Sequence, residues 1–291
     1  MKLGFLTNSI DDIAKAARLG FDGLELHSSA FGNAAEGPLD GNLIAKARDL
    51  CAETGVTITA LAHYDVAFRT PAPDKITDAY DRVFDAATEL GIDAIASMSG
   101  FDPDRNWKGN IELFAERFGP VAERAEAKGK RIAFENWMGF GGQLPFRPMN
   151  MGGSPATWDA WFEAVPSLAL GIEFDPSHLA WQGIDYLRAL REYQSRVYHV
   201  HAKDSEPLPE GRYRHGVNGP NYRFRIPGYG EINWTGFITA LDEYGYTGGV
   251  AIEHEDEIYG WHTGGDLFDE GLVRGWQVLN PLIHPTSNSL R

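Results

Sequence analysis

Four short apolar runs in the second half of the chain each end in a side chain that binds cations or moves protons. They are Glu135 in IAFENW, Asp175 in GIEFDPSHL, His201 in VYHVHAKD and Glu253 in VAIEHED. A parallel strand buried on both faces reads as a nearly unbroken apolar run, so a polar end is out of pattern. Any single one is equally well explained as a helix cap or a surface group. Four in consecutive strands are different, because a closed sheet sets those ends along one arc of its rim. Three carboxylates converging there repel one another unless a cation sits among them. Three oxygens and one imidazole suit Mn²⁺, Mg²⁺ or Co²⁺ better than a thiolate-seeking metal. The expected cofactor is therefore one divalent ion, Mn²⁺ first, with Mg²⁺, Co²⁺ or Zn²⁺ open.

The elements that must position these residues alternate along the chain. Residues 2–7 read as a strand; Ser9 then caps a helix with Ile13, Ala16, Ala17 and Leu19 on one face, ending at Gly20. The next strand–helix units are 23–28 with 42–53, 57–64 with 74–90, 94–99 with 110–128 and 131–137 with 156–164. The last three are 168–175 with 185–193, 197–203 with 234–244 and 249–254 with 267–279. Glycine closes the first four helices, where a left-handed cap is wanted. Strands alternating with helices imply a parallel sheet, and eight such units in 291 residues imply a closed barrel. The expected fold is α/β, a (β/α)8 TIM barrel, as a single domain over 1–291. An open doubly wound sheet would usually carry a Gly-rich phosphate loop after its first strand, and none is present.

Two connections, 138–155 and 204–232, are long for a compact barrel, and both follow strands. They therefore fall on the C-terminal face, where barrel enzymes keep their chemistry, and suit lids or binding walls. The competing reading is a surface excursion or an oligomer contact.

Composition excludes some functions. With 43% hydrophobic and 23% charged residues the chain is an ordinary globular protein, and its net charge of −15 argues against a nucleic-acid partner. One cysteine, Cys51, cannot form an internal disulfide, and MKLGFLTNSI is too short an apolar run for a signal peptide. No stretch approaches a membrane span. A cytoplasmic protein with no membrane partner is expected.

The chain resembles the xylose isomerase-like barrels, a group that includes sugar isomerases, ketose 3-epimerases, inosose dehydratases and endonuclease IV-type DNA repair enzymes. The likeness runs from GFDGLEL on the second strand to PGYGEINW before the seventh helix. It includes the ligand order Glu, Asp, His, Glu and the D-x-x-H of Asp175 and His178. These motifs are specific for the superfamily and weak for the substrate. The resemblance implies a carbohydrate or keto-sugar substrate, with Glu135 and Glu253 both binding metal and moving protons. The metal would acidify the C–H beside a carbonyl and stabilise the enediolate, one glutamate removing the proton and the other returning one. Return to the same carbon epimerises, return to the neighbouring carbon isomerises, and loss of a β leaving group is elimination.

Around these four, His178 is a candidate for a substrate oxygen or the metal environment, and Lys203, on the strand face of His201, for substrate contact. His63, Glu25 and His27 are candidates to line the mouth, and Trp137 and Phe140 to form an apolar wall. Arg225 is a candidate for a substrate hydroxyl or carboxylate. Each also has a bland reading as a cap, a core pair or a surface charge.

An endonuclease IV-like site needs further histidines. The fourth strand, AIASMSG, has none, and His201 is followed by AKDSE. A non-catalytic binding subunit would not require the intact ligand set. Ketose 3-epimerases usually carry a further acid soon after the strand-five glutamate, where this chain has Asn136-Trp137-Met138-Gly139-Phe140. An isomerase or epimerase is the first expectation. A lyase or dehydratase acting on a keto-sugar, inosose or 3-keto-glycoside is the alternative, favoured by the two long loops. A homo-oligomer is expected, and a partner subunit is open because relatives that cleave keto-glycosides use one.

Overall fold

The strand-end residues are brought to one rim by closure of the sheet. In a computed structural model, which describes all residues except 65–72, 140–145, 147, 261–264, 266 and 285–291, ten strands occur. They are β1 (Lys2–Thr7), β2 (Gly23–His27), β3 (Thr57–His63), β4 (Ala94–Ser97), β5 (Arg131–Glu135) and β6 (Leu170–Phe174). There follow β7 (Val197–Ala202), β8 (Asp204–Pro207), β9 (Tyr222–Arg225) and β10 (Gly249–Ile252). β1 to β7 and β10 pair in parallel as a closed eight-stranded barrel, shut by Lys2 opposite Gly249. The predicted (β/α)8 architecture is therefore what the chain forms.

Helices cover the outside: α1 (Asp12–Leu19), α2 (Gly41–Thr54), α3 (Pro73–Leu90), α4 (Trp107–Ala127) and α5 (Pro155–Ala164). α6 (Pro176–Ala180), α7 (Tyr186–Tyr193), α8 (Pro209–His215), α9 (Trp234–Glu243) and α10 (Phe268–Ile283) complete the described helices. The longer helices turn apolar faces onto the strands, whereas α8 has no buried residue. Between α4, α5 and β5 the ring of Phe114 stacks on Trp161 at 4.9 Å, and Phe118 meets Phe134 edge-on at 4.6 Å. Gly20 ends α1 at φ 86°, and its N–H donates to the carbonyls of Ala16 and Ala17. This left-handed conformation suits glycine.

Three details differ from the sequence expectation. β6 begins at Leu170 rather than 168, and Leu168 is exposed. α6 is a short helix not anticipated between β6 and α7; Asp175 caps it and Pro176 starts it. The long connection after β7 is no plain loop, because β8 and β9 pair antiparallel with Asp204 opposite Arg225, and α8 lies between them. Asp204 anchors this ribbon, accepting from Gly228 N, Ile232 N and the Trp234 indole. Among the described residues, no helix is long and apolar enough to cross a membrane.

Candidate metal centre

Each proposed ligand sits where a strand stops. Glu135 is the last residue of β5, Asp175 follows β6, His201 lies near the end of β7, and Glu253 follows β10. One ligand atom from each lies within 4.8 Å of the others, and all four residues are buried. His201 Nδ1 is 3.2 Å from Glu135 Oε1 and 3.1 Å from Glu253 Oε2. Asn136 locks two of the strand ends together. Its Nδ2 donates to the Asp175 carbonyl at 2.8 Å, and its Oδ1 accepts from Asp175 N at 2.6 Å. Asp175 spends Oδ1 on capping Ser177 N at 2.7 Å. Its buried Oδ2 accepts no hydrogen bond among the described residues. Three carboxylates and one imidazole nitrogen, buried with their ligand atoms this close together, fit a divalent cation.

Electrostatics in the centre are set by that crowding. Burial opposes ionisation of Glu135, yet the close approach of His178 and His201 and the charge of Lys203 hold its carboxyl well below the usual range. Burial likewise opposes charge on Glu253, but the Lys203 ammonium keeps its acidity high. Against burial, Glu173, Glu25 and Glu253 raise His201 well above its ordinary value.

His201 also has a rear face. Its Nε2 lies 2.8 Å from Glu25 Oε2 and 3.3 Å from Glu173 Oε1, inside the barrel. The Tyr64 hydroxyl faces Glu25 at 2.7 Å and Glu173 at 2.8 Å, and Glu173 meets His199 Nδ1 at 2.8 Å. His199 Nε2 reaches Thr59 Oγ1 at 3.1 Å. Gly249 makes room for that contact, since a Cβ there would lie 2.3 Å from Thr59 Oγ1 and 2.6 Å from His199 Nε2. Burial and the Glu25 charge push the Glu173 carboxyl well above the usual range.

The other candidates divide. His178 Nε2 is 3.3 Å from Glu135 Oε1 and 3.4 Å from Asp175 Oδ2, beside the centre. The buried Lys203 ammonium is 2.5 Å from Glu253, 2.9 Å from Glu255 and 3.3 Å from Asp175, beneath the Phe224 ring of the ribbon at 4.3 Å. His27 lines a cavity of about 430 Å³ with Leu6, Asn8, Tyr64, Met98, Glu253 and Phe268. Trp137 is half-buried, and its carbonyl accepts from Asn150 Nδ2 at 2.7 Å. Phe140 lies outside the described residues.

Three expectations are corrected. His63 does not line the mouth: it pairs with Ser97, accepts or donates at Ser28 Oγ across 2.9 Å, and packs edge-on against Tyr80 of α3. It faces the helix layer, the opposite side from the interior. Arg225 is not free for substrate. Its Nε donates to buried Asp256 at 2.8 Å and its Nη1 to Glu206, so it ties the ribbon to the segment after β10. Glu25 lies behind His201 rather than at the mouth. Glu173, His199, Tyr64 and Asn136 were not singled out as site residues, though the adjacent acid and histidine in GIEFD and VYHVH carried a signal of inward-facing polar groups.

Comparison with known proteins places this geometry. The chain is 27% identical over 308 residues to the uncharacterized protein YfiH of Bacillus subtilis (strain 168), covering 88% of this chain and 93% of that protein. It is 25% identical over 274 residues to the inosose dehydratase of Geobacillus thermodenitrificans (strain NG80-2), covering 84% and 81%. With the inosose dehydratase of Lacticaseibacillus casei the identity is 30%, and the match covers 53% of this chain and 49% of that enzyme. In fold, the chain superposes on D-psicose 3-epimerase from Clostridium cellulolyticum H10 with TM-score 0.69 and 21% identity, covering 97% and 99%. It superposes on the 3-keto-D-glucoside 4-epimerase YcjR from E. coli with TM-score 0.68 and 15% identity, covering 95% and 99%. The model of the xylose isomerase-like TIM barrel matches residues 13–272. With the closed barrel and a strand-end ligand set in one chain, this protein belongs to the xylose isomerase-like TIM barrel family.

Proposed function

We propose that this chain is a divalent-metal-dependent enzyme that removes a proton beside a carbonyl of a sugar or keto-sugar, with isomerisation or epimerisation as the outcome. The reading rests on one observation: Glu135 and Glu253 both approach His201 Nδ1, at 3.2 and 3.1 Å, from strands β5 and β10, which the barrel separates by β6 and β7. Glu135, Asp175, His201 and Glu253 would hold the cation, Mn²⁺ first. When bound, the cation supplies positive charge to a substrate carbonyl and its neighbouring hydroxyl.

The protein's own residues do the rest. Glu135 and Glu253 are both held toward ionisation, so either can take the proton, and the glutamate that takes it then becomes the acid that returns one. His178 holds Glu135 and Lys203 holds Glu253, so each carboxylate has one oxygen steadied by a cation or donor. The cavity beside Glu253 takes the rest of the substrate between Tyr64, Met98 and Phe268. Burial of the centre excludes bulk water and strengthens every charge interaction in it.

A second reading, elimination from a keto-sugar or inosose, is favoured by Lys203. Its buried ammonium sets a fixed positive charge beside Glu253 that would favour negative charge on a departing oxygen, and relatives of this chain are named inosose dehydratases. Assay of purified protein with Mn²⁺ against ketoses, inososes and 3-keto-glycosides separates the two. New stereoisomers of equal mass support the first, loss of water or of an aglycone supports the second, and no turnover of any substrate counts against both.

A further inference from the structure

The quartet Glu25, Glu173, His199 and His201 has the spacing of a second metal site, with ligand atoms within 4.8 Å of one another. Its hydrogen bonding says otherwise. The Tyr64 hydroxyl plugs the space between Glu25 and Glu173 at 2.7 and 2.8 Å, and His199 is engaged on both ring nitrogens, by Glu173 and Thr59. No ligand atom of the quartet is left without a partner among the described residues. A cluster so closed has no vacancy for an ion.

What it does have is a grip on His201. The ring spans two sites: Nδ1 faces Glu135 and Glu253, and Nε2 faces Glu25 at 2.8 Å. An imidazole ligates through one nitrogen only when the proton is on the other. Its tautomer and ring angle follow the acceptor behind it, and a carboxylate acceptor raises the basicity of the ligating nitrogen. Glu25 is held by two contacts, the His201 N–H on one oxygen and the Tyr64 O–H on the other. Tyr64 in turn lines the substrate cavity with its ring while its hydroxyl lies in the quartet.

We propose that Glu25, braced by Tyr64, is a positioning residue that presents His201 Nδ1 to the metal centre. It does so by accepting the Nε2 proton. This rests on the reading of the Glu135, Asp175, His201 and Glu253 cluster as a metal site. Glu25 touches neither substrate nor cation; it acts through the histidine, and Tyr64 acts through Glu25.

The test uses the full chain and Co²⁺ alone, with affinity from calorimetry and ligand geometry from the visible absorption of the ion. Glu25→Gln keeps the shape and removes the carboxylate charge, and Tyr64→Phe removes only the brace. Circular dichroism checks that each variant is folded. The expected result is a loss of Co²⁺ affinity on the order of 10- to 100-fold for Glu25→Gln, a smaller loss for Tyr64→Phe, and a changed absorption envelope in both. If Glu25→Gln does not fold, Tyr64→Phe carries the test alone. Parental affinity and an unchanged spectrum in a folded variant overturn the positioning role. Failure of the parent chain itself to bind Co²⁺ overturns instead the metal reading on which it depends.

Discussion

The Lys203 ammonium lies 2.5 Å from Glu253 Oε2, so the two glutamates of the centre are not equivalent. Glu253 carries a buried cation against it, whereas Glu135 is steadied by His178 and His201. Lys203 is itself held by Glu255 and Asp175 and capped by Phe224, which fixes this inequality in place. Replacing Lys203 by Met leaves burial to act on Glu253 without its counter-charge, so the carboxyl pKa rises. The acid limb of the pH–rate profile should then move to higher pH. Initial rates of Lys203→Met across pH 5 to 9, compared with the parent, check this; coincident limbs contradict it.

If the cluster binds a divalent cation as proposed, His201 should make that affinity pH-dependent. The surrounding carboxylates Glu173, Glu25 and Glu253 raise the imidazole above its ordinary value of 6.5, against burial. Coordination needs the Nδ1 lone pair, so an incoming ion must displace a proton. Affinity therefore rises as pH increases through the raised pKa of His201 and falls below it. Calorimetric titration with Mn²⁺ in two buffers of different ionisation heat should show proton release on binding. Binding with no proton released at pH 7 contradicts the assignment.

Buried neutral histidines outside the candidate ligand set should tie stability to pH. Burial pushes His63 down to about 3 and His254 down to about 4, from an ordinary 6.5. In the unfolded chain both protonate near 6.5, while the folded protein keeps them neutral, so the unfolded state binds more protons below that pH. Stability is intact above 6.5 and is lost as pH falls toward the folded values, by about 3 kcal/mol for each group near pH 4. Melting curves between pH 7 and 4 should show this slope, and His63→Gln should make it shallower. An unaltered slope in a folded His63→Gln contradicts it.

Arg225 is expected to matter for stability rather than for substrate. Its guanidinium bridges Glu206 on β8 and fully buried Asp256, and Asp256 also accepts from Ile226 N. Arg225→Met leaves Asp256 charged and without its cation, a change that costs about 3 kcal/mol when the partner is buried. Denaturant unfolding measures the loss, and a variant as stable as the parent removes the bridge from the account.

That the four polar strand ends meet was legible because barrel closure alone makes consecutive strand ends neighbours. Glu135, Asp175, His201 and Glu253 needed only the alternation of strands and helices to be brought together. What sequence could not settle was which way a side chain points from a strand that is apolar on both faces. His63 and Tyr64 are adjacent, yet one packs on Tyr80 in the helix layer and the other reaches Glu25 inside the barrel. The pairing register shifts between Leu24 and Glu25, so counting residues along β2 and β3 does not predict a face. Arg225 was illegible for another reason. Its partners Glu206 and Asp256 lie 19 and 31 residues away; the β8–β9 pairing brings the first to it, and docking of the ribbon on the segment after β10 brings the second.

The central claim is proton abstraction beside a carbonyl by Glu135 and Glu253. The most direct measurement is proton NMR of the full chain with Mn²⁺ in D₂O, with ketoses, inososes and 3-keto-glycosides, beside Glu135→Gln and Glu253→Gln. The account predicts deuterium uptake next to the carbonyl of a substrate by the parent, and a rate lower by roughly 10²- to 10⁴-fold in each variant. Uptake that persists at the parental rate in either folded variant would contradict it.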